Sequence, residues 1–156
     1  PSIPMAQELM AICDLTIAAD HSLFGQSGPR IGAPTGGYTV AHAAAILGHK
    51  RAREMELLCR QIPAQQALAW GLVNAVVPKE DLDAEVRRWC DELLGLGPSA
   101  LRMIKASFRR AMDPYMGLSL MEIVQGHAPV IFTSGEQQEG ARAFFEKRPP
   151  DFSRWR

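Results

Sequence analysis

The stretch ICDLTIAADHSLFGQSGPRIGAPTGGY, residues 12–38, decides the fold. An apolar-periodic segment runs into Cys13-Asp14-Leu15, and the β-like run Leu15-Thr16-Ile17-Ala18-Ala19 follows. Phe24-Gly25-Gln26 gives a second short extended piece. A loop then holds Gly28, Gly32, Gly36 and Gly37, with Pro29 and Pro34 between them. Glycine lacks the Cβ that keeps backbones apart, so this loop lets main chain pass close to something and turn N–H groups toward it. Two strands and a glycine-rich loop between helical segments read as a ligand-facing surface, not as a plain connector.

Working outward, Ser2 and Pro4 mark a helix start, with a cap and a proline in the first turn. Met5, Leu9 and Ile12 then share one face at helical spacing. Downstream, the alanine-rich segment Tyr38 to Leu47 reads as a second helix, with Gly48 placed as its C-terminal cap. Lys50 to Arg60 is a third, with Met55 and Leu58 on its apolar side. Pro63 opens a short helix that ends before Gly71. Residues 72–77 form a strand closed by Pro78. Glu80 to Leu94 is amphipathic, with Leu82, Val86, Trp89 and Leu93 spaced for one buried face. Gly95 and Gly97-Pro98 break that helix. Helical pattern then covers 99–112, 115–134 and 135–147, and Pro129 is expected to kink or interrupt the second of these. The composition shift near residue 97 divides a β-containing front, 1–97, from an all-helical rear, 98–156.

Bulk properties narrow the field. A chain of 156 residues fits one compact unit, and a 47% hydrophobic share supports an ordinary core. Lys+Arg and Asp+Glu are both 17, so no basic excess favours nucleic acid. Cys13, Cys59 and Cys90 form no CxxC pair, which points to reduced thiols in a cytoplasmic protein. No apolar run approaches the roughly 20 residues that span a bilayer, so no membrane is expected. His21, His42, His49 and His127 lack metal spacing, and no metal is expected. No G-x-S-x-G elbow supports a serine hydrolase.

The motifs CDLTIAAD (13–20), FGQ-x-GP-[RK]-x-G (24–32) and GGY (36–38) resemble the crotonase (enoyl-CoA hydratase/isomerase) superfamily. Residues 48–78, GHKRAREMELLCRQIPAQQALAWGLVNAVVP, and 139–153, EGARAFFEKRPPDFS, extend the likeness over nearly the whole chain. Within the superfamily the pattern is most similar to the 1,4-dihydroxy-2-naphthoyl-CoA synthase branch. The resemblance implies an α/β fold: the C-terminal part of a β-β-α spiral in 1–97, then an all-helical C-terminal trimerisation region in 98–156. It implies that the chain begins at a point equivalent to the middle of a crotonase. It implies a cytoplasmic homo-oligomer, a trimer or a hexamer of two trimers.

The resemblance also implies a lyase or isomerase whose substrate is a coenzyme A thioester, with no covalently bound cofactor. Such chemistry needs an oxyanion hole, two backbone N–H groups that polarise the thioester carbonyl so that an enolate forms beside it. One of them falls at Met5, where the family has a glycine. Glu8 falls at one of the two hydratase carboxylates, and Gly28 at the other. Gly28 in the synthase branch resembles a site for a bound bicarbonate acting as base. The branch's Ser-x-Asp is Ala33-Pro34-Thr35 here, so the acid position is Thr35, which donates a hydrogen bond but is no acid near neutral pH. A tyrosine of that branch is replaced by Phe132. Gly36 and Gly37 open a helix whose N-terminus suits a thioester oxygen, and Tyr38 is placed to bond substrate. Phe144, Lys147 and Arg148 resemble the element that reaches the adenosine end of CoA. The implied reactions are hydration, isomerisation, ring closure or C–C cleavage, with ring-opening hydrolysis of cyclic β-ketoacyl-CoA as a third option. The alternative is a catalytically impaired homologue that binds a partner or assembles without turnover.

Overall fold

The computed structural model describes residues 4–117 and 119–155, and their side chains apart from residues 4–6 and 111–116. Ser2 and Leu118 therefore lie outside the described residues, as does the side chain of Met5.

Helix α1, Pro4–Ile12, leads into strand β1, Ile17–Ala19, and strand β2, Leu23–Phe24. A 3-10 turn, Pro29–Ile31, follows. Helices α2, Tyr38–Leu47, and α3, His49–Leu58, meet at Gly48, whose φ of 75° lets the chain turn sharply between them. Strand β3, Ile62–Pro63, and helix α4, Ala64–Ala69, precede strand β4, Ala75–Val77. These elements match the sequence expectation closely. The expected strand over 72–77 is shorter, because Leu72 and Val73 are buried as packing residues and pairing begins only at Ala75.

The strands make two small sheets. β1 pairs parallel with β4, Ile17 opposite Ala75 and Ala19 opposite Val77. Asn74 clamps the start of this pair: its Oδ1 accepts the Thr16 N–H at 2.8 Å, and its own N–H is donated to the Thr16 carbonyl at 2.8 Å. β2 pairs antiparallel with β3, Phe24 opposite Ile62. Parallel strands need a long crossover, and α2, α3 and α4 supply it while covering one side of the strands. The core follows from this layout: Ala18, Phe24, Leu47, Ala52, Met55, Ile62, Ala64, Ala67, Leu72 and Val73 form one buried cluster.

Beyond β4, a 3-10 turn at Lys79–Asp81 starts helix α5, Leu82–Leu94. Its apolar side is only partly covered. Leu82 and Trp89 are half-buried, whereas Val86 and Leu93 are exposed, so the expected buried face is incomplete. Helix α6, Pro98–Met116, runs on past the expected end at 112. Helix α7, Leu120–His127, stops two residues before Pro129, and turns fill 128–134. That is the expected effect of a proline, which bars its predecessor from helical conformation. Helix α8, Glu136–Phe145, and a 3-10 turn, Ser153–Trp155, complete the described residues.

Candidate functional site

Helix α8 makes a close approach to the glycine-rich loop. A Cβ on Gly32 would lie 2.8 Å from the Glu136 carbonyl oxygen of α8. In return, a Cβ on Gly140 of α8 would lie 2.0 Å from the Ile31 carbonyl oxygen. Two glycines thus let α8 and the 29–31 turn touch backbone to backbone. Gly36 faces Leu120 and Ile123 of α7 at ordinary contact distance, and Gly37 is buried. Over Gly28, an added Cβ would stand 2.9 Å from the Thr35 Cβ, so the Thr35 side chain fills the space that a side chain at 28 would need. That filled space gives bicarbonate no cradle directly over Gly28.

Three buried polar side chains organise the surroundings. The Gln7 carboxamide accepts the Gly25 N–H at 3.0 Å and directs its own N–H toward the Met55 sulfur at 3.8 Å, tying α1 to β2 and α3. Gln26 folds back, its Oε1 accepting the N–H groups of Ser27 at 2.8 Å and Gly28 at 3.1 Å. Glu56 is buried on α3, its Oε2 has no hydrogen-bond partner, and burial raises the carboxyl above its usual pKa. Sequence reasoning missed all three. No local signal marked them, since Gln7 stands beside Glu8 and Glu56 is one of several charged residues of α3.

The expected site residues divide by position. The backbone of Met5 lies in the first turn of α1, where the leading N–H groups have no partner within the helix. Glu8, one turn on, is exposed. Tyr38 donates its hydroxyl proton to the Ala11 carbonyl oxygen at 3.2 Å, so the start of α2 is fastened to the end of α1. Phe132 lies half-exposed in the turns after α7, at 46%. Phe144 stays exposed beside Phe145, with ring centroids 5.9 Å apart. Lys147 is exposed with a left-handed φ of 52°. Arg148 is committed elsewhere: its guanidinium donates to Glu139 at 2.6 Å and to Glu146 at 2.6 Å. The Arg148 hydrogen bond, helped by the Asp151 N–H, holds the Glu139 carboxyl down at about 2.

A cleft of about 380 Å³ lies beside β1 and β2, lined among others by Gln7, Met10, Thr16, His21, Phe24 and Leu82. His21 is exposed, with Nδ1 3.3 Å from Asp20. Burial lowers the pKa of His42. Among the described residues, no three His, Cys, Asp or Glu side chains gather as a metal site would need, and no helix is long and apolar enough to cross a membrane.

The sequence profile of the family described as Enoyl-CoA hydratase/isomerase matches residues 6–154. The chain belongs to the enoyl-CoA hydratase/isomerase family. Solved members of this fold superimpose on it well. An enoyl-CoA hydratase from Mycobacterium avium subsp. paratuberculosis K-10 is 32% identical with a TM-score of 0.86, the match covering 98% of this chain and 62% of that one. A methylmalonyl-CoA decarboxylase in complex with 2-nitronate-propionyl-CoA is 30% identical with a TM-score of 0.82, covering 96% and 58%. An enoyl-CoA hydratase/isomerase from Pseudoalteromonas atlantica T6c, at 24% identity and a TM-score of 0.80, speaks for the fold alone. This family member thus spans about three-fifths of the length of these solved relatives, between 58% and 62%.

Proposed function

We propose that this chain binds an acyl-CoA thioester and stabilises an enolate formed beside the thioester carbonyl. The observation that carries the reading is the family match over 6–154, joined to a likeness at 30% identity to a decarboxylase solved with a propionyl-CoA analogue. The N–H groups in the first turn of α1, Met5 among them, have no partner within the helix and support an oxyanion role, since it calls on backbone rather than side chain. Gly36, Gly37 and Tyr38 at the head of α2 give the second helix N-terminus of the reading. Gly28 favours the naphthoyl-CoA synthase branch. Ala33, Thr35 and Phe132 depart from it at positions of its ring-closing chemistry, and Gly28 in place of a second carboxylate speaks against simple hydration. Calorimetric titration tests the reading. Butyryl-CoA or acetoacetyl-CoA is expected to bind one per chain with a Kd below about 1 mM, the upper end of ordinary substrate affinities. No heat and no thermal stabilisation at that concentration would refute it.

Lys147 and Phe144 are proposed as contacts for the CoA nucleotide, with Arg148 holding the segment in place through Glu139. The chain is further proposed to work as a homo-oligomer, a trimer or a hexamer. The support is apolar surface on the rear helices: Met103 is 72% exposed, Phe108 68%, and Phe145 82%. Sedimentation is expected to show association at micromolar concentration, and a stable monomer would refute it. The partner-binding alternative without turnover has one point in its favour, the packing of α7 and Thr35 over Gly36 and Gly28.

A further inference from the structure

Strand β1 is closed on one side only. It pairs with β4, and among the described residues no other strand bonds to it. Backbone groups alternate in direction along a strand. Thr16 and Asp20 turn theirs to the β4 side: the Thr16 carbonyl accepts the Asn74 N–H at 2.8 Å, and the Asp20 N–H is donated to the Val77 carbonyl at 2.8 Å. Ile17 and Ala19 stand at the alternate positions and turn theirs to the opposite edge. The Ala19 carbonyl is taken by the Ser22 N–H at 3.0 Å, which leaves the N–H and carbonyl of Ile17 and the N–H of Ala19 for a further strand. All of β1 and β2 lines the cleft of about 380 Å³, so the free edge has open space beside it. An unpaired strand edge is a template for another strand.

The lining says what kind of strand. Met10, Phe24 and Leu82 make it apolar, and His21 is the one titratable side chain in it, so a charged peptide finds no counter-charge. Ala18 and Ala19 are buried and carry only methyl groups, which lets a second backbone come close. On its closed side β1 already accepts Ala75-Val76-Val77 in parallel. A second copy of this chain brings, among its described residues, only strands of two or three residues that are each already paired. The solved relatives superimpose on 96% and 98% of this chain while the match covers only 58% and 62% of them. They therefore contain further chain that these 156 residues do not include. We propose that the free edge of β1 is a docking site for a strand-bearing unit equivalent to that further length. Its strand, of small and β-branched residues, adds parallel to β1 and seats apolar side chains against Met10, Phe24 and Leu82. The site is made of backbone and apolar wall, so it stands apart from the acyl-CoA reading.

Co-expression tests this. The full chain is produced with a tagged polypeptide made of the part of the Mycobacterium avium subsp. paratuberculosis enoyl-CoA hydratase that the match leaves uncovered. A one-to-one complex is expected, with a Kd below about 10 μM. Amide hydrogen exchange supplies the second readout. The Ile17 and Ala19 amides should exchange freely in the lone chain and slow by at least about 100-fold in the complex. The Ala18 amide, on the β4 side, should be protected in both. Ile17→Pro removes an N–H that the lone chain does not use, and an edge strand tolerates proline there. It should leave the Tm of the lone chain unchanged and weaken the complex at least about tenfold, the loss of roughly 1.4 kcal/mol. Ile17→Val keeps the N–H and should bind as the unaltered chain does. No complex with the unaltered chain overturns the proposal, as does a complex indifferent to Ile17→Pro. Ile17 and Ala19 amides already protected in the lone chain overturn it too. If that protection appears only as the lone chain is concentrated, the edge is occupied by a second copy and the proposal falls. None of these outcomes bears on whether butyryl-CoA binds, which is read separately.

Discussion

The front of the molecule, from α1 to β4, and the rear, from α6 to α8, are built from similarly apolar sequence and end up differently covered. The front hides Met55 completely and buries Phe24, Leu47, Ile62 and Leu72 around it. In the rear, Val124 and Ala143 are the buried apolar side chains among the described residues, while Phe108, Phe144 and Phe145 face outward. A strand pair or helix pair with three neighbours has its apolar face closed by the chain itself. A helix such as α6, packed chiefly on α2, keeps most of its face open. Periodicity therefore states that a face is apolar without stating what closes it.

The sharpest way to break the contrast is Met55→Ala. It should cost about 2–5 kcal/mol, because a cavity is left in a fully enclosed site and the Gln7 amide loses its sulfur contact. Denaturant melts would check it, and a loss under 1 kcal/mol would mean that the front is not a close-packed core. Next comes the seam between the regions. Gly140→Val places a side chain where the Ile31 carbonyl already sits and should cost about 1–3 kcal/mol, read as a lower Tm. An unchanged Tm would separate α8 from the glycine loop.

Glu56→Met should move the other way, gaining about 1–3 kcal/mol near pH 8 by removing an unpartnered buried carboxyl. The sign follows from linkage. The folded-state pKa of Glu56 lies above its unfolded value of 4.5, so the unaltered protein loses stability as pH rises from there through the folded pKa. The variant should lack that slope in urea melts taken from pH 5 to 8. At the C-terminus the sign reverses. Glu139 is held at about 2, so its pairing with Arg148 contributes above pH 4.5 and is lost as pH falls toward 2. Trp155 donates its indole N–H to the Ser134 carbonyl at 3.2 Å, which makes its fluorescence the reporter in a Trp70→Phe, Trp89→Phe background. Release is expected in acid, and Glu139→Gln should show it already at pH 7. The smallest effect on the single chain is expected from Phe108→Ser, within about 0.5 kcal/mol, since that ring is 68% exposed. If the rear face joins subunits, the same change should dissociate them in sedimentation.

Much of this was open to inspection in the primary structure. Tyr38 to Leu47 as a helix capped at Gly48, the break at Gly97-Pro98 and the stop before Pro129 all follow from local backbone chemistry: a free φ in glycine, a missing N–H in proline. The family likeness was equally legible, because CDLTIAAD, GP-R-x-G and GGY stand in order along the chain. The local code alone determined where the elements lie and which faces are apolar.

Only the tertiary structure decided what each glycine meets and which acid is buried. Gly32 and Gly140 look like loop and helix residues in a row of letters, and they turn out to be two sides of one backbone contact. Glu56 reads as one more charge on a surface helix until Met55 and Cys59 beside it are seen to face the core. Burial, desolvation and close approach depend on residues distant in sequence, and no window of neighbouring letters contains them.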